Sequence, residues 1–321
     1  MAHYDVFNGD ADGICALQQL RLADPRPGVL VTGIKRDIAL LERVPAQAGD
    51  SATVLDVSLE RNRTALLELL ARGVRIEYFD HHFAGELPAH PLLQLHIDTA
   101  PGMCTSVLVD RQLAGAHRLW ALVGAWGDNL PATAQALALA AGLQPAALDS
   151  LRVLGEAINY NAYGDCEADL LLPPAQLYQR IRPYASPLAF IAQDPLAGAL
   201  ALRQRDDLAH AAEIAPHAVL AGGSVYLLPD AAWSRRVQGA FANALSLRAP
   251  QAAHAVLRPA GPGLLLASVR APLRSPQGAD SLCRAFPSGG GRAAAAGIDR
   301  LPAAQLQEFI GAFERAYPAA A

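Results

Sequence analysis

The chain has 321 residues, 52% hydrophobic and 17% charged, with a formal net charge of -4, enough for a sizeable core in two domains and too acidic for a wholesale nucleic-acid-binding surface. Cys15, Cys104, Cys166 and Cys283 lack paired spacing, which excludes a zinc knuckle or disulfide framework and suits reduced, mostly buried thiols. No signal peptide opens the sequence and no uninterrupted apolar run can span a bilayer, so a soluble, cytoplasmic protein without membrane partners is expected. The basic residues are nearly all arginine, with Lys35 the only lysine, and alanine is abundant, which looks like genome composition.

The first half alternates short apolar runs with helical patterns. Tyr4–Phe7 reads as a strand, and the turn Asp10-Ala11-Asp12-Gly13 opens a helix over Ile14–Leu22, whose apolar residues recur at roughly helical spacing. A strand at Val29–Ile34 and a short helix near Ile38–Val44 follow. The strand Ala52–Leu55 leads past Asp56 into a helix over Arg61–Ala71, with Ser58 as a candidate N-cap. Gly73 closes that helix, and the strand Val74–Phe79 delivers Asp80-His81-His82. After a strand at Leu92–Ile97, helices are expected at Cys104–Leu113, His117–Trp126, Ala132–Ala141 and Pro145–Tyr160. Strands alternating with helices argue an α/β fold with a doubly wound, mostly parallel sheet over residues 1–186. Such a sheet lines one crevice with the carboxyl ends of its strands. Acidic or histidine groups at Asn8–Gly13, Asp56, Asp80–His82 and Asp128 would converge there.

A break near Arg182–Pro187, then Asp194-Pro195, precedes a connecting helix at Leu196–Ile214, giving a linker over residues 187–215 and a hinge candidate at Pro183–Pro195. Residues 216–321 read as a smaller α+β domain. Its expected strands are Ala218–Leu228, Ala253–Leu257 and Gly263–Val269; its expected helices are Trp233–Leu247, Asp280–Phe286 and Ala303–Ala316. Between residues 231 and 300 nine arginines face only Asp280 and Asp299, a formal +7. The first domain thus supplies carboxylates and the second guanidinium groups, whose planar fork suits phosphate. Arg270, Arg274 and Arg292 are the substrate-binding candidates; Arg235 and Arg236 read equally well as a solvated helix face. Gly289-Gly290-Gly291 precedes Arg292, and consecutive glycines let backbone N–H groups approach an oxyanion.

Together these residues resemble the DHH phosphoesterases, in the subtype with a DHHA1 C-terminal domain. Asp10-Ala11-Asp12-Gly13 looks like the family's first motif, Asp56 its second, Asp80-His81-His82 its third and Asp128 its fourth. Gly289–Gly297 resembles the glycine-rich DHHA1 signature. The resemblance implies two divalent cations, Mn2+ first and Mg2+ or Co2+ as other candidates. Asp10 would ligate one and Asp12 the other, with Asp56 bridging and His81 and Asp128 completing the second site. His82 would face the scissile phosphate, with Asp80 supporting the histidines. Hard carboxylate oxygens with one imidazole suit these metals, and two ions about 3.5–4 Å apart can activate water for in-line attack. The sequence departs from the pattern at Val6, where many members carry histidine, at Asn8, whose carbonyl would be a weak ligand, and at Arg292, in place of histidine.

The leading expectation is a Mn2+-dependent phosphodiesterase acting on short oligonucleotides or nucleotide 3',5'-bisphosphates. A long nucleic-acid tract would want a continuous basic groove with stacking aromatics, and only 6% of residues are aromatic. The alternatives are a pyrophosphatase or polyphosphatase of the same superfamily and a non-catalytic nucleotide- or phosphate-binding module. A haloacid-dehalogenase-like phosphatase would need a later lysine, and Lys35 is poorly placed for that role. Asp98 and Thr105-Ser106 fall in a polar segment that either serves the site or caps a helix. A homodimer is compatible with all of these readings.

Overall fold

The computed structural model describes residues 1–319, which divide into two compact units, Met1–Arg203 and Gln204 onward. In the first, five parallel strands form one sheet in the order β2-β1-β3-β4-β5. They are β1 (His3–Phe7), β2 (Val29–Val31), β3 (Ser51–Leu55), β4 (Arg75–Asp80) and β5 (Leu93–Ile97). Helix α1 (Ala11–Ala23) follows β1 and α2 (Leu59–Ala71) follows β3. After β5 come α3 (Thr105–Gln112), α4 (Arg118–Gly127), α5 (Pro131–Ala140), α6 (Pro145–Asn161), α7 (Pro174–Ile181), α8 (Pro187–Gln193) and α9 (Pro195–Ala212).

The alternation of side chains along each strand explains the three layers. Phe7, Leu55 and Phe79 point into a core with α1, α3, α4, α6, α7 and α8. Their neighbours Val6, Val54 and Tyr78 point the other way, against Leu59, Leu66 and Leu70 of α2 and the short 3-10 turn Leu40–Arg43. That turn replaces the helix expected at Ile38–Val44. Ser58 precedes α2 without a side-chain cap; Asp80 Oδ2 instead accepts the Leu59 N–H at 3.4 Å. The Pro183–Pro195 span contains α8, whose Phe190 is fully buried against Tyr184. The division between units falls later, at Arg203, inside α9.

The second unit has a mixed six-stranded sheet in the order β10-β11-β9-β8-β7-β6. Its strands are β6 (Ala218–Leu220), β7 (Gly223–Leu227), β8 (Ala253–Pro259), β9 (Leu264–Arg270), β10 (Gly289–Arg292) and β11 (Ala295–Pro302). Its helices are α10 (Ala232–Arg248), α11 (Ala279–Arg284) and α12 (Leu306–Ala316). The single strand expected at Ala218–Leu228 is a β6–β7 hairpin that turns at Ala221–Gly222, and Gly222 lies against the Tyr317 carbonyl where no Cβ fits. Phe286, Phe309 and Phe313 pack with Val225, Leu257 and Val269 to form this unit's core.

Candidate metal centre

The order 2-1-3-4-5 reverses between β1 and β3, and the crevice beyond their carboxyl ends is where a doubly wound sheet binds ligands. Asp10 and Asp12 follow β1, Asp56 follows β3, and Asp80, His81 and His82 end or follow β4. Asp128 arrives from the end of α4. It reaches the crevice because α4 packs on α1 and α3 without room for side chains at Gly127 and Gly124. A Cβ on Gly127 would lie 2.3 Å from the Ala11 Cβ, and one on Gly124 would lie 2.2 Å from Ser106 Oγ.

Three carboxylate oxygens gather around His81 Nε2: Asp56 Oδ1 at 3.4 Å, Asp12 Oδ2 at 3.9 Å and Asp128 Oδ2 at 3.9 Å. Single ligand atoms of Asp56, His81 and His82 also lie within 4.8 Å of one another. The carboxylates are held in place rather than merely close. The Asp12 oxygens accept the N–H groups of Thr105 and Ser106 at 2.7 and 2.8 Å, at the amino end of α3. Thr105 Oγ1 donates to Asp56 Oδ1 at 3.2 Å. Asp56 itself sits at φ 59, the left-handed region, where a non-glycine residue costs about 1–3 kcal/mol that the surrounding structure must offset. Asp80, fully buried, accepts the His81 N–H at 2.9 Å and His82 Nδ1 at 2.7 Å. Thr105-Ser106 therefore both starts α3 and supports the site. Asp98 faces the surface, where it pairs with Arg111 at 3.3 Å.

The electrostatics show what the cluster lacks. Burial, then Asp12, Asp10, Asp128 and Asp80, pushes Asp56 well above the ordinary carboxylate range. Burial and Asp12 push Asp128 up to about 6, with Lys35 opposing them. Like charges this close raise one another's pKa, and a cation among them removes that repulsion. Burial disfavours protonated His82, but its hydrogen bond to Asp80 and that carboxylate's charge raise it overall. Three carboxylates and an imidazole around one point fit a hard divalent ion such as Mn2+ or Mg2+.

Around Asp10 the same test fails. Its Oδ1 caps α1, accepting the Asp12 and Gly13 N–H groups at 3.0 and 3.1 Å. Its Oδ2 is 2.6 Å from Lys35 Nζ. Burial would raise Asp10, but the charge and hydrogen bond of Lys35, with the Gly13 N–H, hold it below the ordinary range. Asn8, expected as a weak ligand, uses its amide in the turn: Oδ1 accepts the Asp10 N–H at 3.2 Å and Nδ2 donates to the Lys35 carbonyl at 3.2 Å. Val6 is fully buried under the sheet.

Lys35 and Asn159 were not among the expected site residues. Lys35 follows β2, and its Nζ lies 3.0 Å from Asn159 Oδ1 and 3.9 Å from Asp128 Oδ1. Burial would lower its pKa, but Asp10, Tyr163 and Asp128 raise it above the ordinary lysine value. The signal in the sequence was its being the sole lysine.

The expected phosphate-binding residues all lie in the second unit. Gly289–Arg292 forms β10, paired antiparallel with β11. Gly289 and Gly291 answer to packing: a Cβ would meet the Cys283 carbonyl at 1.7 Å and Ala296 at 2.5 Å. Gly290 faces open space, and Arg292 and Arg274 are exposed. Arg270 Nε donates to Asn243 Oδ1 at 2.7 Å. Not all of the nine arginines are surface charge: Arg258 is buried on Gln238, and Arg236 pairs with Asp207 at 2.6 Å.

Solved structures repeat this architecture. A manganese-bound RecJ exonuclease matches 98% of this chain and 89% of its own, at 20% identity and a TM-score of 0.62. A DHH-domain protein described as a member of a family of ribosomal proteins matches 98% and 86%, at 14% identity and a TM-score of 0.62. The chain shares the fold of these DHH-domain structures. A pGpG-specific phosphodiesterase, PggH of Vibrio cholerae, shares that fold over 97% of both chains, at 14% identity and a TM-score of 0.54. No protein-family model matches the sequence, and no curated protein does. Among the described residues of this DHH-fold chain, no helix is long and apolar enough to cross a membrane.

Proposed function

We propose that the protein is a divalent-cation-dependent phosphoesterase that hydrolyses the phosphodiester bonds of short oligonucleotides or a phosphomonoester of nucleotide 3',5'-bisphosphates. The observation that carries this is the grouping of Asp12, Asp56 and Asp128 around His81 Nε2, beside a histidine oriented by a buried aspartate. Those four residues would hold the ion, with Mn2+ the first candidate and Mg2+ the second. Bound there, a divalent ion supplies Lewis-acid activation of water and neutralises phosphate charge.

The chain's own groups do the rest. Asp80 fixes the His82 ring through Nδ1, so the half-exposed imidazole can offer Nε2 to a phosphate oxygen. Thr105 and Ser106 hold the carboxylates at fixed positions, so little reorganisation is needed when charge develops on the phosphate. Arg274 and Arg292, exposed on the second unit, carry guanidinium groups of the kind that suit phosphate. The fold shared with an exonuclease and a dinucleotide phosphodiesterase supports a phosphodiester over pyrophosphate or polyphosphate.

The test is a panel of a 5'-phosphorylated dinucleotide, adenosine 3',5'-bisphosphate and pyrophosphate, each with Mn2+ and with chelator. The expected result is Mn2+-dependent turnover of one of the first two. Turnover of pyrophosphate alone would replace the reading with a pyrophosphatase. Nucleotide binding without turnover would replace it with a binding module.

A further inference from the structure

We infer that Lys35 takes the place of one of the two cations, so that the centre holds a single divalent ion partnered by a fixed ammonium group. The inference deepens the proposed function and rests on it for the identity of the site. Three observations carry it. Donors for one ion are grouped around His81, but the donors for another are not available: Val6 has none, the Asn8 amide is committed to its turn, and Asp10 Oδ2 is held by Lys35 at 2.6 Å. A divalent ion on Asp10 would meet an ammonium already there, and like charges repel.

Lys35 is also anchored against displacement. Its N–H donates to the Ala162 carbonyl at 2.9 Å, its Nζ donates to Asn159 Oδ1 at 3.0 Å, and the Nζ lies 5.6 Å from the centroid of the Tyr163 ring. These contacts come from the end of α6 and the residues just after it, an element separate from the one that supplies Asp10. Finally, of 26 lysine and arginine residues this is the only lysine. An ammonium is a compact point charge, whereas a guanidinium is a wide planar fork, so only lysine resembles a metal ion in size and charge density.

The role that follows is chemical. An ammonium has three protons to donate. Asp10 and Asn159 take two, and the third is left for a substrate phosphate oxygen, the task a further ion would otherwise perform. Because Lys35 is covalently part of the chain, that positive charge is present whatever the metal concentration.

The experiment loads the full chain with Mn2+, dialyses it, and measures bound metal by mass spectrometry and its spin state by electron paramagnetic resonance. One ion per chain with the hyperfine pattern of an isolated ion is expected. Two ions per chain with an exchange-coupled spectrum would overturn the inference, and no bound ion would overturn both it and the proposed function. One isolated ion in a protein that cleaves neither the dinucleotide nor adenosine 3',5'-bisphosphate would support this inference while removing the proposed function. In the same preparation Lys35→Met should keep its one ion and bind inorganic phosphate at least ~tenfold more weakly, the usual scale for losing a charged hydrogen bond. Unchanged phosphate affinity in that variant would overturn the role given to Lys35.

Discussion

Asp56 shows a side chain kept where it is unfavourable for the fold. It is buried among Asp12, Asp10 and Asp128, in a left-handed backbone conformation. Asparagine tolerates that conformation and can still accept from Thr105, but carries no charge. Asp56→Asn should therefore raise the thermal stability of the metal-free protein by about 0.5–2 kcal/mol while abolishing turnover. Calorimetry beside a rate assay checks both halves, and a destabilised, active variant would contradict the account. Asp5 behaves in the opposite sense. Burial would raise its pKa, but hydrogen bonds from His3 and Arg21, the latter at 2.5 Å, hold it below the ordinary carboxylate value. A lowered folded-state pKa stabilises above the unfolded value of 3.8, and the contribution is lost as pH falls through the folded one. Asp5→Asn should cost about 3–5 kcal/mol at pH 7 by leaving Arg21 buried and unpaired. The gap to wild type in a pH series of melting curves should narrow below pH 3.8. At this scale Asp10, Asp12, Asp56 and Asp80–His82 were legible because each group follows a short apolar run. Lys35 was not, since its partner Asn159 lies 124 positions away and only folding joins them.

Elements place the site through close approach. The strands bring Asp10, Asp12, Asp56 and His81 to one edge, and their short apolar runs made that readable from sequence. Asp128 depends on helix packing instead. Gly127 lets α4 lie on α1 and on the Gly155 carbonyl of α6, 3.0 Å from where a Cβ would stand. Gly127→Ala should cost about 1–3 kcal/mol by overpacking and should weaken Mn2+ binding by shifting Asp128. Isothermal titration with Mn2+ checks this; unchanged affinity would mean that Asp128 is not a ligand. The glycine run at 289–291 lies in a strand, β10. Its composition suggests a loop, but a strand also needs glycine where a neighbouring backbone leaves no room for Cβ, as Cys283 does at Gly289. Local composition cannot separate the two, because the difference lies in what packs alongside.

For the whole molecule, charge is distributed unevenly between the two units. Carboxylates gather in the first, while the second carries a surplus of arginine that its own core only partly uses, at Arg258 and Arg236. Arg274→Ala and Arg292→Ala should each weaken nucleotide binding roughly 10- to 100-fold, the scale of a charged hydrogen bond, and leave the bound-ion count unchanged. A loss of metal in either variant would place those residues in the wrong role. The central claim is that the carboxylate–histidine cluster hydrolyses phosphodiesters through a bound cation. It is tested most directly by following cleavage of a 5'-phosphorylated dinucleotide by chelator-stripped protein as Mn2+ is added back, with Asp56→Asn in parallel. Activity that rises with Mn2+ in the wild type and stays absent in Asp56→Asn is the predicted result. Equal cleavage by both proteins, or cleavage unaffected by chelation, would contradict it.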